Sequence, residues 1–292
     1  MKISDVSRDA FISVGLLRYT AKIIVFLSIN RFIASLVLLV FFETPTIFAW
    51  SILYCLATFA TAIIGFVLTV KVINYPQFEL ARVGRELRQG FAFSVGVSAR
   101  NIYDDLDKSM LAKLSTVQAA GIYGAAYQIL SVSLIPVQSI MLASFKDFFK
   151  KGAAGIRSSF NLSKKLILIS FAYSFVAILC LFLFGPLLPK ILGDSYADSV
   201  VALMWLSPVI ILRAVHFFAA DVLTGANYQS SRSVSQVTIA FLNGILNFWL
   251  IPLYGWHGAI WATIASEFIL MILLWGFVYR YSLKEASVTA HE

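Results

Sequence analysis

Residues 166–188 read LILISFAYSFVAILCLFLFGPLL, an apolar run without a charged side chain. A helix of about this length crosses the roughly 30 Å hydrocarbon core of a bilayer. The chain has 292 residues, of which 60% are hydrophobic and 13% charged, whereas about a quarter of a soluble domain is charged. The period-two alternation of transmembrane strands is absent from the sequence. These features predict an all-α integral membrane protein.

Similar apolar runs recur along the chain, and no connection between them has the length of a soluble domain. The connector 74–89 is the most hydrophilic one in the first third, and it separates two predicted helices from six that follow. We predict about eight transmembrane helices, over residues 20–42, 46–70, 91–114, 119–145, 166–188, 200–223, 234–253 and 259–279.

Lys and Arg outside the membrane are distributed very unevenly. With eight helices, 17 of these residues fall on the side of the two termini and 2 on the other side. Positively charged loops stay in the cytoplasm, so both termini are predicted to be cytoplasmic. The net charge of +8 therefore reflects membrane topology, and a nucleic-acid partner is not expected.

A charged stretch interrupts the third predicted helix, where residues 100–108 read RNIYDDLDK. Each Arg, Lys or Asp near the bilayer centre costs roughly 2.5–3.5 kcal/mol, so such residues usually face a bundle interior or water. Arg100, Asp104 and Lys108 are spaced by four residues and share one helix face. They form either a self-neutralising ladder along the helix or part of a water-filled vestibule, and the first alternative leaves Asp105 and Asp107 unexplained.

Other charged residues lie inside predicted spans. Arg31 has no acidic neighbour on its own helix, Arg213 lies near the middle of the sixth helix, and Glu267 lies alone in the outer half of the eighth. We predict that at least two of three arginines converge on one aqueous cavity and bind substrate: Arg31, Arg100 and Arg213. Three acidic residues are predicted to couple an ion or to pair with these arginines: Asp104, Asp105 and Glu267.

Sequence motifs of enzymes are missing. The chain has no G-x-S-x-G, H-E-x-x-H, P-loop or C-x-x-C sequence, and its three histidines are scattered. We therefore predict a protein that is not an enzyme and that needs neither a metal nor another cofactor. Guanidinium groups match the oxygen geometry of phosphate, so the arginines indicate transport of an anionic substrate.

Several short segments, taken together in their order and spacing, resemble one family of transporters. They read DKSML (107–111), VQAAGIYGAAY (117–127), GDSY (193–196), LTGAN (223–227), NGILN (243–247) and PLYGWHGAI (252–260). Over roughly residues 20–282 the chain resembles the polysaccharide flippases, the O-antigen-unit translocases of the multidrug/oligosaccharidyl-lipid/polysaccharide exporter superfamily.

This resemblance implies two lobes of six helices around a cavity that opens alternately to each side of the bacterial cytoplasmic membrane. Residues 89–282 would be a complete second lobe, residues 1–88 the last two helices of the first lobe with a cytoplasmic linker, and residues 283–292 a cytoplasmic tail. About four N-terminal helices of the family's first lobe have no counterpart, so we expect an N-terminally truncated member.

The resemblance also implies a cargo, a polyprenyl-pyrophosphate-linked oligosaccharide that is flipped during surface polysaccharide or lipopolysaccharide biosynthesis. Expected partners are this lipid-linked substrate, membrane lipids, a coupling ion (H+ or Na+) and polysaccharide assembly proteins. Two alternatives stay open. A drug or cation exporter of the same superfamily would line its cavity with carboxylates more than arginines, and an integral-membrane enzyme of polysaccharide assembly would need a large outer loop or an embedded His/Asp pair.

Overall fold

Helices make up all of the regular structure that the computed structural model describes, which covers residues 2–42, 46–75 and 80–289. The predicted fold class, an all-α membrane protein, is confirmed. The helices are α1 (Lys2–Ser13), α2 (Leu17–Phe41), α3 (Ile47–Val72), α4 (Leu80–Leu114), α5 (Val117–Ser133), α6 (Ile135–Gly152), α7 (Ile156–Phe184), α8 (Leu188–Leu192), α9 (Ala197–Leu206), α10 (Pro208–Gly225), α11 (Gln229–Tyr254) and α12 (Trp256–Thr289).

The chain divides into two compact units, Met1–Ala81 and Arg82–Glu292. In the first unit, α1 and α2 both pack against α3. Phe11 of α1 is fully buried, and Asn30 of α2 donates a hydrogen bond of 3.2 Å to Thr61 of α3. The first unit is therefore a small helical bundle with one interhelical amide contact.

The second unit is built around α10. This helix packs against α6, α7 and α12, and 72% of its residues are buried inside the protein. Ile210 of α10 belongs to one buried apolar cluster, together with Leu203 and Leu206 of α9. Phe218 and Leu223 of α10 belong to another. A helix that is covered by protein on most sides can carry polar groups only where neighbouring helices supply partners, so α10 determines where polar contacts form.

Two spans that we predicted as single helices are broken. The predicted span 119–145 bends by 44° between α5 and α6, where Pro136 lies in the first turn of α6. The predicted span 200–223 divides between α9 and α10, with Pro208 at the start of α10. Proline lacks the backbone N–H that continues a helix, which explains both interruptions.

Six of the described helices, or seven if the bent α5–α6 pair counts as one, are long and apolar enough to cross a membrane. The remaining predicted span, the third one (91–114), lies in α4, whose 35 residues are long enough but carry the charged stretch 100–108. The difference from the predicted count therefore comes from the charges of α4.

Two contacts fix the ends of helices in the second unit. Gly152 at the end of α6 touches the backbone carbonyl of Gly225 at the end of α10, so that a side chain at Gly152 would collide with it. A side chain at Gly225 would in turn collide with the carbonyl of Phe148. At the start of α7, the carboxylate of Glu285 from α12 accepts a 3.0 Å hydrogen bond from the backbone N–H of Arg157, which satisfies one of the free donors of a helix N-terminus.

Candidate functional site

The candidate site begins with two polar residues on α10. Arg213 and His216 are three residues apart, so they lie on neighbouring positions of one helix face. Both are buried. A buried cation needs paired and hydrogen-bonded partners, and the remaining members of the site supply them.

Glu267 of α12 accepts contacts from both of these residues. Its Oε1 lies 2.6 Å from Arg213 Nε, and its Oε2 lies 2.6 Å from His216 Nε2. The Glu267 side chain has no exposed surface. One carboxylate therefore joins a guanidinium and an imidazole in the interior of the second unit.

Asp104 of α4 completes the surroundings of the guanidinium. Its Oδ1 lies 2.8 Å from Arg213 Nη2 and accepts a 2.9 Å hydrogen bond from the hydroxyl of Tyr127. Arg213 Nη2 also donates to that hydroxyl over 2.7 Å. We call Asp104, Arg213, His216 and Glu267 the charge cluster, which links α4, α10 and α12 with Tyr127 of α5 as a neutral member.

Two further charged residues of the α4 stretch, Asp105 and Lys108, have a different environment. Lys108 Nζ lies 2.8 Å from Asp105 Oδ1, and it donates over 2.8 Å to the backbone carbonyl of Asp104. Asp105 has a side chain that is 78% exposed. Among the predicted acidic residues, Asp104 and Glu267 therefore pair with Arg213, whereas Asp105 pairs with Lys108 outside the charge cluster.

A second buried contact lies beside the charge cluster. The hydroxyl of Tyr123 donates to Asp107 Oδ2 and lies 3.0 Å from Thr263 Oγ1. Asp107, Tyr123 and Thr263 are all buried. This contact ties α4, α5 and α12 together a second time.

The predicted convergence of at least two of the three arginines stays a prediction. Arg31 lies in the first unit, where its guanidinium is 4.5 Å from the centre of the Tyr54 ring and its Nε is buried without a hydrogen-bond partner in the described part of the chain. The side chain of Arg100 lies outside the described residues. Within residues 2–42, 46–75 and 80–289, no group of three or more His, Cys, Asp or Glu side chains is placed to hold a metal ion.

Four residues that contact or adjoin the charge cluster were not among the predicted site residues: His216, Asp107, Tyr123 and Tyr127. Two signals could have found them. Asp107 is three residues from Asp104 and therefore on the same face of α4, and the two tyrosines are four residues apart on α5. A tyrosine buried in a membrane helix needs a hydrogen-bond partner for its hydroxyl. The two tyrosines could therefore have been predicted to bind acidic residues of α4.

The arrangement of helices is similar to that of solved transporters of the MOP superfamily. The crystal structure of a point mutant of a MATE protein matches with a TM-score of 0.76 and 14% identity, covering 97% of this chain and 67% of that one. An outward-facing multidrug resistance MATE family transporter of the MOP superfamily matches with a TM-score of 0.68 and 13% identity, covering 90% of this chain and 63% of its own.

A third structure is a MOP superfamily transporter from Pyrococcus furiosus that is described as having a binding pocket of reverse polarity. It matches with a TM-score of 0.67 and 13% identity, over 90% of this chain and 63% of its own. No family of known proteins is matched by the sequence, and no curated protein matches it. The likeness is therefore one of fold, and this chain spans 63–67% of the length of these three proteins.

Proposed function

We propose that this chain acts in membrane transport and moves a polyprenyl-pyrophosphate-linked oligosaccharide during the assembly of a surface polysaccharide. The observation that carries the proposal is the buried guanidinium of Arg213 inside a transporter fold. Guanidinium N–H groups match phosphate oxygens in pairs. The resemblance of residues 107–127 and 243–260 to polysaccharide flippases supports the same cargo.

The surroundings of Arg213 suggest how it binds a pyrophosphate. Glu267 has no exposed surface, whereas the side chain of Asp104 is 31% exposed. A pyrophosphate oxygen therefore replaces Asp104 more readily than Glu267 at the guanidinium. In the empty state Asp104 neutralises Arg213, and in the loaded state the cargo takes its place.

The other predicted residues have supporting roles in this proposal. Substrate binding by Arg31 and by Arg100 stays a prediction, and Asp105 holds Lys108. Residues 89–282 act as one lobe, residues 1–88 contribute two helices and the linker of the other lobe, and residues 283–292 form a tail. Movement of one group of helices against the other would open the cavity alternately to each side.

A substitution series at Arg213 tests the cargo in cells whose surface glycan depends on this chain. In Arg213→Ala we expect display to fall at least about tenfold, the result of losing roughly 1.4 kcal/mol of binding, with normal protein in the membrane. Arg213→Lys keeps the charge but loses the paired N–H geometry, so it should restore display only in part. Arg280→Lys, at an exposed position of α12, is the matched control.

Normal display in Arg213→Ala would reject the role of this residue. If Arg213→Ala fails to reach the membrane, the decision rests on Arg213→Lys, which keeps the charge opposite both carboxylates. In that case normal display with the lysine would reject recognition by the guanidinium fork.

The proposed location is the bacterial cytoplasmic membrane, with both termini in the cytoplasm. The distribution of Lys and Arg supports this orientation. A reporter fused after Glu292 or inserted near Gly155 should behave as cytoplasmic, and one inserted near Asp194 as extracytoplasmic. Reversed signals at two of these sites would reject the orientation.

Export of drugs or cations is the second candidate, and the balance of charge favours it. Among the side chains that the structure describes around the charge cluster, the carboxylates of Asp104, Asp107 and Glu267 outnumber the cations Arg213 and Lys108. If the chain exports lipophilic cations, its expression should raise the tolerance of cells to tetraphenylphosphonium, and Glu267→Gln should remove that tolerance. Unchanged tolerance together with glycan loss in the Arg213 variants would favour the flippase instead.

A further inference from the structure

A groove with cations at one end runs along α2 in the first unit. Its volume is about 540 Å3, and its described lining consists of Arg18, Ala21, Lys22, Val25, Phe26 and Ile29. We propose that this groove binds one anionic phospholipid, with the headgroup phosphate at the two cations and one acyl chain along the apolar side chains. The site belongs to the first unit and involves neither Arg213 nor the transported cargo.

The lining residues share one face of α2. The two cations, Val25 and Ile29 follow one another at intervals of three or four residues, which places them in one row along an α-helix. The opposite face of α2 packs within the first unit. There Thr20 donates to the backbone carbonyl of Arg8 in α1, and Ile23 lies beside Gly65 of α3. The groove therefore faces away from α1 and α3.

The length of the groove matches one leaflet of a bilayer. Arg18 and Lys22 lie in the first two turns of α2, and basic side chains near the end of a membrane helix extend their charged groups to the interface. From Arg18 to Ile29 the helix rises about 16 Å, which is close to half of the roughly 30 Å hydrocarbon core. The cations therefore lie at the level of the headgroups and the apolar residues beside the acyl chains.

Aromatic contacts within the first unit position Lys22. Its Nζ lies 5.3 Å from the centre of the Tyr19 ring, and Tyr19 stacks on Phe11 of α1 with 5.1 Å between the ring centres. Phe11 is fully buried. A lysine ammonium group has three N–H donors, so Lys22 can contact the ring face and still donate to a phosphate oxygen.

The carboxylates that the structure describes in the first unit do not neutralise these cations. Asp5 and Asp9 of α1 each lie 3.6 Å from a guanidinium nitrogen of Arg8. Neither Arg18 nor Lys22 forms an ion pair with a described residue. Two unpaired cations beside an apolar groove complement an amphiphile whose head is negatively charged.

Two other grooves of similar volume lack this combination of charge and apolar surface. One of about 530 Å3 lies between α10 and α12 and includes Leu212 and Trp261. Another of about 510 Å3 lies between α4 and α11 and includes Leu106 and Phe248. The described lining of both grooves carries no charge, so they offer nothing that distinguishes an anionic headgroup from a neutral one. The cations therefore select the α2 groove as the site for an anionic lipid.

Photo-crosslinking from inside the groove tests the lipid. The full chain carries p-benzoylphenylalanine in place of Val25, whose side chain is 56% exposed, in vesicles of equimolar phosphatidylglycerol and phosphatidylcholine. Mass spectrometry after illumination counts the two lipid adducts. We expect phosphatidylglycerol adducts to be at least about fivefold more abundant, the preference that one Lys or Arg near the membrane surface provides. The same reporter at Leu39, further along α2 and 71% exposed, should crosslink both lipids equally.

Paired substitutions separate charge from shape. Arg18→Gln combined with Lys22→Gln should abolish the preference at position 25, whereas Arg18→Lys combined with Lys22→Arg keeps both charges and should retain it. Lys150→Gln with Lys151→Gln, at exposed positions of α6, is the matched control and should leave the preference unchanged. If the first pair does not reach the vesicles, the salt dependence of the chain with its own cations decides, because salt screens exposed charges and should reduce the preference.

Soluble glycerol phosphate distinguishes a lipid from a free phosphate. It carries the same charged group as the headgroup but no acyl chain, so it should not reduce the yield of phosphatidylglycerol adducts. Displacement of the lipid by this compound would mean that the apolar part of the groove contributes nothing, which would overturn the proposal.

Equal yields of the two lipids at position 25 would overturn the proposal, and so would a preference that survives the paired glutamine substitutions or high salt. Crosslinks from position 25 to the chain itself, or to a second copy, would also overturn it, because protein would then fill the groove. None of these measurements depends on glycan display, so they can be interpreted whatever the outcome of the Arg213 experiments.

Discussion

The two units hold an intramembrane arginine in different ways. In the first unit, Arg31 lies over the ring of Tyr54. Only 11% of the residues in the apolar segment of α2 are buried, and 22% of those in the apolar segment of α3. In the second unit, Arg213 lies on a helix that is 72% buried and binds two carboxylates from other helices. An aromatic face suffices for a cation that neighbouring helices cover only in part, whereas a buried cation needs counter-charges.

This difference concerns stability as well as function. A buried ion pair adds little net stability, because desolvation offsets the attraction, but removing one partner is strongly destabilising. The second unit should therefore be far more sensitive to loss of a charged group than the first. Substitutions in pairs, one in each unit, test this comparison.

The largest effect is expected for Glu267→Ala. Arg213 loses one of its two carboxylates and His216 loses its contact with Glu267, so the free energy of unfolding should fall by about 3–5 kcal/mol. Unfolding of the purified chain in detergent, followed by tryptophan fluorescence, measures the loss. In the first unit Arg31→Ala should cost no more than about 2 kcal/mol, and equal losses in the two variants would break the comparison.

The second-largest loss of stability is expected for a substitution that causes a steric clash. Gly225→Ala places a side chain against the carbonyl of Phe148, and the overpacking should cost about 1–3 kcal/mol in the same unfolding assay. Gly65→Ala in the first unit meets the Ser7 side chain at 3.2 Å and should cost less, since a side chain yields more easily than backbone. Gly121→Ala meets nothing within 4 Å and should be neutral or stabilising.

Hydrogen bonding gives a further contrast. Tyr123→Phe removes the donor to buried Asp107, so we expect a loss of about 1–3 kcal/mol. Thr61→Val in the first unit removes the partner of Asn30 and should cost about 0.5–1.5 kcal/mol. The thermal midpoints of the two variants measure these losses. A larger decrease in Thr61→Val than in Tyr123→Phe would contradict the comparison.

The smallest effect is expected at the aromatic contact of the first unit. Tyr54→Leu removes the ring that faces Arg31 and should lower stability by about 0.5–2 kcal/mol. Phe59→Leu on the same helix is the control, because Phe59 is 62% exposed. Equal effects of the two substitutions on the thermal midpoint would show that the cation contact contributes nothing.

The sequence predicted the helices well because their signal is local. A long apolar run such as residues 166–188 needs no knowledge of its neighbours, and α7 indeed covers most of it. The breaks at Pro136 and Pro208 carried a signal too, since proline interrupts helices. That signal was outweighed by hydrophobicity on both sides, so each interrupted pair was predicted as one span.

The candidate site was only partly predictable. Asp104, Arg213 and Glu267 were recognisable because charge is rare at membrane depth. Their pairing was not, because Asp104 and Arg213 are 109 residues apart in the chain and spacing along α4 placed Lys108 closer. His216 lies in an apolar stretch where it could be a packing residue, and only its distance to Glu267 shows otherwise.

The glycine contact between α6 and α10 also limits how this protein can evolve. Gly152 and Gly225 meet backbone to backbone, and both are already the smallest residue. A larger residue at either position cannot be compensated by a smaller one at the other, as cavities and protrusions often are in side-chain packing. A larger residue at either position would require α6 and α10 to move apart. We therefore expect glycine to be retained at both positions unless the backbone of these helices shifts.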